Sequence, residues 1–245
     1  YCTRAQRIIP IDRGTGELQA RAAWRTGLAQ FLQMRDGLPL HPENRASNCL
    51  PTYCLFDRYK KRLGLTGTIG NEAEQQFLRE HYAVDIVKFP SYKERTITGN
   101  ARSAYRCKEL TPIVAATRQV WTAHIVESAL RAARNGQAAL IICPYIQQAE
   151  EIQQVLAAHY DASKIYLHTG KKDFPKETLY AGEIVVATNI AGRGTNFNIP
   201  DAVAKKGGLH VILGSLPENK RVEAQNAGRA GRKGQPGTAQ LIVCD

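Results

Sequence analysis

No apolar run in this sequence approaches the roughly 20 residues that a membrane-spanning helix needs, and its opening YCTRAQR shows no signal-peptide pattern. There is no GxxxxGK(S/T) loop to cradle phosphates, and no strand ends in the paired acids that hold Mg²⁺. Alone, the chain is not expected to hydrolyse a nucleoside triphosphate. Its six cysteines (2, 49, 54, 107, 143 and 244) form no CxxC pair and have no histidine at metal-ligand spacing, so no metal site is expected. They read as reduced thiols of a cytosolic type of compartment, with Cys143 and Cys244 packed in strands. Acidic charge is scarce. Asp and Glu number 22 against 33 Lys and Arg in 245 residues, a net charge of +11. That excess suits anionic partners (nucleotide phosphates, nucleic acid or an acidic membrane surface) without choosing among them. Internal repeats and low-complexity tracts are also absent.

What is present suffices for one or two domains with a sizeable core. A hydrophobic fraction of 43% with 22% charged residues is ordinary for an α/β protein. From Asp85 onward, short apolar runs alternate with helical periodicity. Val84–Phe89 reads as a strand ending at Pro90. Thr111-Pro112 reads as a helix start, with Pro112 at the first helical position. Trp121, Ile125, Ala129 and Ala132 share one helical face, closed by Asn135-Gly136. Ala138–Cys143 reads as a buried strand, Gln147–His159 as a helix and Lys164–Leu167 as a strand. Further strands follow at 183–189, 209–215 and 239–244. Such alternation predicts a parallel sheet covered on both faces. Ligands of these sheets gather at the carboxyl ends of the strands. His168-Thr169-Gly170 reads as loop. The basic stretch Ser91–Tyr105, with Lys93, Arg95 and Arg102, reads as a solvated connector in preference to a nucleic-acid patch.

Residues 1–68 are less regular. Arg7–Ile11 reads as a strand leading to a turn at Asp12–Gly16. Glu17–Met34 carries Leu18, Ala22, Trp24, Leu28, Phe31 and Leu32 at spacings that suit a helix or two, closed by Asp36-Gly37. Trp24 then reads as a core aromatic on an amphipathic helix. Tyr53–Leu63 reads as a helix, and an acidic helix spans 71–81. Between these last two lies Thr66-Gly67-Thr68, a turn with two hydroxyls and free backbone amides.

The richest chemistry is in the last fifth. The strand EIVVATN (183–189) runs into Ala191-Gly192-Arg193-Gly194-Thr195-Asn196, where two glycines let backbone approach a ligand closely. Arg193, Thr195 and Asn196 add polar contacts. A helix over Glu218–Ala227, with Pro217 and Glu218 at its start, ends in Gly228-Arg229-Ala230-Gly231-Arg232-Lys233-Gly234. Two guanidinium groups three residues apart among glycines can grip phosphate oxygens and stabilise a transferring phosphoryl group.

Taken together, ATNIAGRGTN and QNAGRAGRKGQPG resemble motifs V and VI of superfamily 2 helicase-type motors, and most of all SecA, the ATPase that drives preproteins through the Sec channel. IDRGTGELQARAAWRTGLAQFLQMRDGL is similar to the SecA segment where the chain leaves the preprotein-binding domain, with Asp12, Thr15, Gly16, Arg21, Trp24, Gly27 and Leu28 fitting. Thr66-Gly67-Thr68 looks like motif III, which couples ATP state to domain closure.

The resemblance implies a RecA-like fold. Residues 1–80 would be the C-terminal part of a first nucleotide-binding domain with its junction to the preprotein-binding domain, and 85–245 the second motor domain. The chain would then be a piece of a longer motor. ATP would be bound between the two domains, with Mg²⁺ held only through the missing first one. Gly192, Arg193, Gly194, Thr195 and Asn196 would line that cleft, and Gln225, Arg229 and Arg232 would face the γ-phosphate. Partners would be a preprotein or other polypeptide, the remainder of the motor and a membrane translocon, in a cytoplasmic setting peripheral to a membrane. Asn196 departs from the family pattern, which carries Asp there, and residues 161–183 are shorter and divergent. Two alternatives remain: a nucleic-acid helicase half, and a binding module derived from a motor that has lost catalysis.

Overall fold

The structure is a computed structural model that describes residues 1–12, 18–43, 49–89, 107–169, 174, 176–188, 196–217 and 219–245. Its centre is a sheet of seven strands in the order β3-β9-β8-β5-β7-β6, with β4 pairing further along β9. These strands are β3 (Cys107–Glu109), β4 (Ile113–Ala115), β5 (Ala138–Cys143), β6 (Ile165–His168), β7 (Ile184–Thr188), β8 (Leu209–Leu213) and β9 (Gly237–Cys244). Every pairing is parallel. The sequence reason is direct. A parallel strand is covered on both faces, so it reads as a continuous apolar run, and in β5 all of AALIIC is buried.

Alternate residues of β5 point to opposite faces and divide the core in two. Ala139, Ile141 and Cys143 pack with Trp121, Ile125, Ile152 and Leu156 from α4 (Arg118–Arg134) and α5 (Ile146–His159). Ala138, Leu140 and Ile142 pack with Leu179, Phe197, Ile199, Val203 and Ala230 on the other face. Val203 belongs to α6 (Asp201–Ala204), and Ala230 follows α7 (Lys220–Ala227). Burial pushes the Cys143 thiol up to about 12, since a thiolate is not stabilised among aliphatic side chains.

Polar ties hold helix to sheet. Trp121 Nε1 donates to the carbonyls of Gly214 (3.1 Å) and Ile242 (3.0 Å), joining α4 to the ends of β8 and β9. Beneath it, Gln240 Nε2 donates to the Thr111 carbonyl (3.1 Å). That fixes the amide so that Oε1 accepts from Ser128 Oγ (2.6 Å). Ser128 thus accepts from His210 Nε2 (3.0 Å), and His210 Nδ1 accepts from Thr238 Oγ1 (2.6 Å). Burial, with the Arg131 charge nearby, lowers His210 to about 4. It is a neutral histidine with one defined tautomer.

The first 89 residues hold a hairpin, β1 (Cys2–Arg4) with β2 (Arg7–Ile9), and three helices: α1 (Leu28–Arg35), α2 (Thr52–Asp57) and α3 (Glu72–Tyr82). Asn71 and Glu74 form a capping box at α3, each side chain accepting from the other's backbone N–H. Among the described residues no helix is long and apolar enough to cross a membrane.

Several expectations are corrected here. The helix expected over 17–34 is confined to α1, because Thr26 and Gly27 are left-handed (φ 61° and 79°) immediately before it. Trp24 is therefore off any helix, half-buried, and edge-on to Tyr1. The helix expected at 53–63 stops at Asp57. A run of like charges follows, and Arg62 instead bonds Asp57 and the Tyr82 carbonyl. Val84–Phe89 is not a strand: among the described residues none pairs with it, and Val87 is 71% exposed. Pro112 starts no helix. The residue before a proline favours extended backbone, and Ile113–Ala115 takes the edge beside β9, so α4 waits for Thr117, whose hydroxyl caps Val120 N–H (3.3 Å). Cys244 lies in β9 but is exposed. Ser91–Tyr105 falls outside the described residues.

Candidate functional site

The candidate site is built around the turn after α7. Asn219 opens the helix by accepting from Val222 N–H (2.9 Å), three residues into an otherwise polar segment. Beyond Gly228 the chain turns twice and enters β9. Gly231 is left-handed (φ 72°), and a Cβ on Gly237 would lie 2.5 Å from its nitrogen. Glycine at both positions is what lets the arginine-bearing turn run flat against the first residues of β9.

The two arginines have different surroundings. Arg229 is 4% exposed, and burial together with the charge of Arg232 lowers its guanidinium to about 10, still cationic at neutral pH. It lies close enough to His168 to depress that imidazole, whose burial acts in the same direction. Arg232 is half-buried, and its Nη1 donates to Asn196 Oδ1 at 2.6 Å, joining residues 36 apart in the chain. Gln235 Nε2 donates to the Ile199 carbonyl (2.8 Å), a second tie between the same two segments. The cleft between them has a volume of about 10 Å³, room for about one water. A nucleotide would have to lie against this surface, not within it.

Gln225, one helical turn before Arg229, points elsewhere. Its Nε2 donates to Thr68 Oγ1 at 2.9 Å. Thr66 Oγ1 meanwhile accepts from Thr68 N–H (3.2 Å) and donates to the Thr68 carbonyl (3.0 Å), so the first hydroxyl shapes the turn and the second reaches across. Gly67 between them is open to solvent on its Cα side.

Of the residues singled out from sequence, the structure thus joins Asn196 with Arg232, and Gln225 with Thr68. Gly192, Arg193, Gly194 and Thr195 fall outside the described residues. Asn196 was expected over the carboxyl ends of the strands. It lies instead beside Leu209, the first residue of β8, and Pro236, which precedes β9. His168 is not a loop residue but the last residue of β6, with its ring 4.4 Å from that of Phe174. Sequence reasoning also missed a buried ion pair, Lys176 with Glu183 (2.5 Å), in which both groups bond Tyr166 OH. The signal was Glu183 itself, a charge leading directly into an apolar strand and so in need of a partner. Among the described residues no group of three or more His, Cys, Asp or Glu is placed to hold a metal.

Comparison with known proteins places these features. Residues 121–234 match the helicase conserved C-terminal domain family. The chain is SecA-like along nearly its whole length. It is 29% identical to the protein translocase subunit SecA of Caldicellulosiruptor saccharolyticus over 99% of the chain, and 28% identical to that of Heliobacterium modesticaldum over 99%. It spans 28% of the length of each. Among solved structures it is similar to T4 UvsW (16% identity, 56% of this chain and 33% of that one, TM-score 0.38) and to the C-terminal part of the Fun30 ATPase domain (18%, 52% and 44%, TM-score 0.34). Likenesses at these scores carry no further argument. The all-parallel sheet with its two covered faces is itself α/β.

Proposed function

We propose that this SecA-like chain, with its helicase C-terminal domain at 121–234, serves as the second motor domain of an ATP-driven polypeptide translocase and carries the end of the first. The observation that supports it best is the bond between Arg232 and Asn196, which brings the arginine turn and the strand-loop segment to one edge. In this reading ATP binds between this edge and a first domain that supplies the phosphate loop and the Mg²⁺ ligands. Arg232 meets the γ-phosphate. Gln225 and Gly192–Thr195 complete that side of the cleft, and Arg229 acts as the cation beneath them. Thr66, Gly67 and Thr68 transmit closure, through the bond from Thr68 to Gln225. The chain by itself binds ATP weakly and does not turn it over. Preprotein, the rest of the motor and a membrane translocon are the partners that follow.

The test is ATPase activity of the longer parent protein beside its Arg232→Ala variant and this chain alone. Activity in the parent, lost in the variant and absent from the chain, is the expected result. A parent without turnover would leave a binding module on a motor fold. A nucleic-acid motor is the second reading, favoured by the net charge of +11 and the helicase family match. It requires RNA- or DNA-stimulated turnover with steep salt dependence.

A further inference from the structure

On the opposite face of the sheet from Arg232, α4 and α5 leave a groove between them of about 570 Å³, within the range of built binding clefts. Its α4 side is a single stripe: Ala123, Val126, Glu127, Leu130, Arg131 and Arg134, spaced at three and four residues over about three helical turns, roughly 16 Å. Val155 and His159 form the α5 side. Val126 and Leu130 make the floor, while Val155 stays 37% exposed although it has no polar atom to offer water.

Charge in the groove is uneven. Glu127 stands midway, and the ionisable side chains beyond it on α4 are Arg131 and Arg134. Arg131, Arg134 and His159 line that end, Lys206 folds over Gly136, and Lys164 Nζ lies by Gly182 next to the last turn of α4. Neither Arg131 nor Arg134 forms an ion pair with any described carboxylate. The carboxyl end of α4 offsets part of this charge, but the guanidinium groups remain open to solvent.

We propose that this groove binds an acidic amphipathic helix of a partner protein. Apolar residues one turn apart would cover Val126, Leu130 and Val155, and carboxylates at one end would meet Arg131 and Arg134. An amphipathic helix in a groove between helices is read by such spaced anchors. Arginine forks pair carboxylates bidentately. The apolar floor distinguishes this occupant from a nucleic-acid backbone, which would leave Val126, Leu130 and Val155 without a counterpart and would meet Glu127 with like charge.

The test is selection of a displayed random 15-residue peptide library on this chain, and separately on its Arg134→Glu and Val155→Glu variants. Both substitutions are at exposed positions, so the fold should be retained, as thermal unfolding would check. The chain should enrich sequences with Asp or Glu beside apolar residues at i, i+4 and i+7. Binding of those peptides, read by fluorescence anisotropy, should weaken by more than about tenfold in either variant and be unchanged in Arg232→Ala. No enrichment, enrichment of basic peptides, or binding to either groove variant as tight as to the unaltered chain would overturn the proposal. So would a single-stranded RNA that binds in an Arg134-dependent way where the peptides do not.

Discussion

Gln225 and Thr68 are 157 residues apart in the chain, and they are joined by a hydrogen bond of 2.9 Å from an amide on α7 to a hydroxyl in a solvent-facing turn. The other hydrogen bonds of that turn run between Thr66 and Thr68, so among the described residues this bond ties the turn to the helix that leads to the arginines.

Replacing Thr68 with Val keeps the shape and removes the acceptor. A half-buried neutral bond of this kind contributes about 1 kcal/mol. A double-mutant cycle of Thr68→Val with Gln225→Ala, read by urea unfolding, should return a coupling of about 0.5–1.5 kcal/mol. If the parent is the proposed motor, the same pair should alter its turnover together. Additive effects on both readouts would mean the bond transmits nothing.

Arg232 and Arg229 should separate cleanly by experiment. Arg232 is half-buried and bonded to a neutral side chain, so Arg232→Ala should cost stability only about 0.5 kcal/mol while lowering parent ATPase about 10³-fold or more. Arg229 is buried beneath the turn, and Arg229→Ala should cost about 2 kcal/mol or more from lost packing and lost polar contacts. Thermal unfolding of both variants decides this. Equal destabilisation would contradict the assignment.

His210 makes the fold acid-sensitive. Its folded value is near 4 and its unfolded value is the ordinary one near 6.5. Between these the unfolded chain binds the extra proton, so stability rises with pH from about 4 to about 6.5 and is fully present above that. The contribution is about 3 kcal/mol at most, from the two values and the energy per pH unit. Denaturant unfolding across this window should show the slope in the native chain and lose it in His210→Asn.

Trp121 should be the costliest substitution in the core beneath α4 and α5. Trp121→Ala leaves a large cavity, and Gly214 and Ile242 lose their indole donor, at about 3–5 kcal/mol. Trp121→Phe refills most of the volume and should recover about half, as differential scanning calorimetry would show.

The sheet was legible from sequence because fully buried parallel strands advertise themselves. AALIIC, IVVAT and LHVIL are continuous apolar runs at the length of strands, and Asn135-Gly136 closes α4 where the periodicity stops. The same rule failed where local pattern met tertiary choice. Val84–Phe89 is rich in apolar residues but pairs with no described residue, and Ile113–Ala115 has a partner, β9, that no local signal announces. Glu17–Met34 has helical spacing, but two left-handed residues restrict the helix to its end. In the candidate site, residue types were readable and connections were not. Nothing in the sequence says that Asn196 meets Arg232, or that Thr68 and not Thr66 reaches Gln225. His168 reads as loop because one histidine after the apolar run ending at Leu167 carries no strand signal, although it closes β6.

Cys143 gives the molecule an internal clock. Its thiol is held protonated at the buried carboxyl end of β5, whereas Cys49, Cys54 and Cys244 are exposed. A thiol reagent at neutral pH should therefore modify those three at once and reach Cys143 only when the sheet opens. The delay between the two phases measures how often the parallel sheet comes apart, with no substitution introduced.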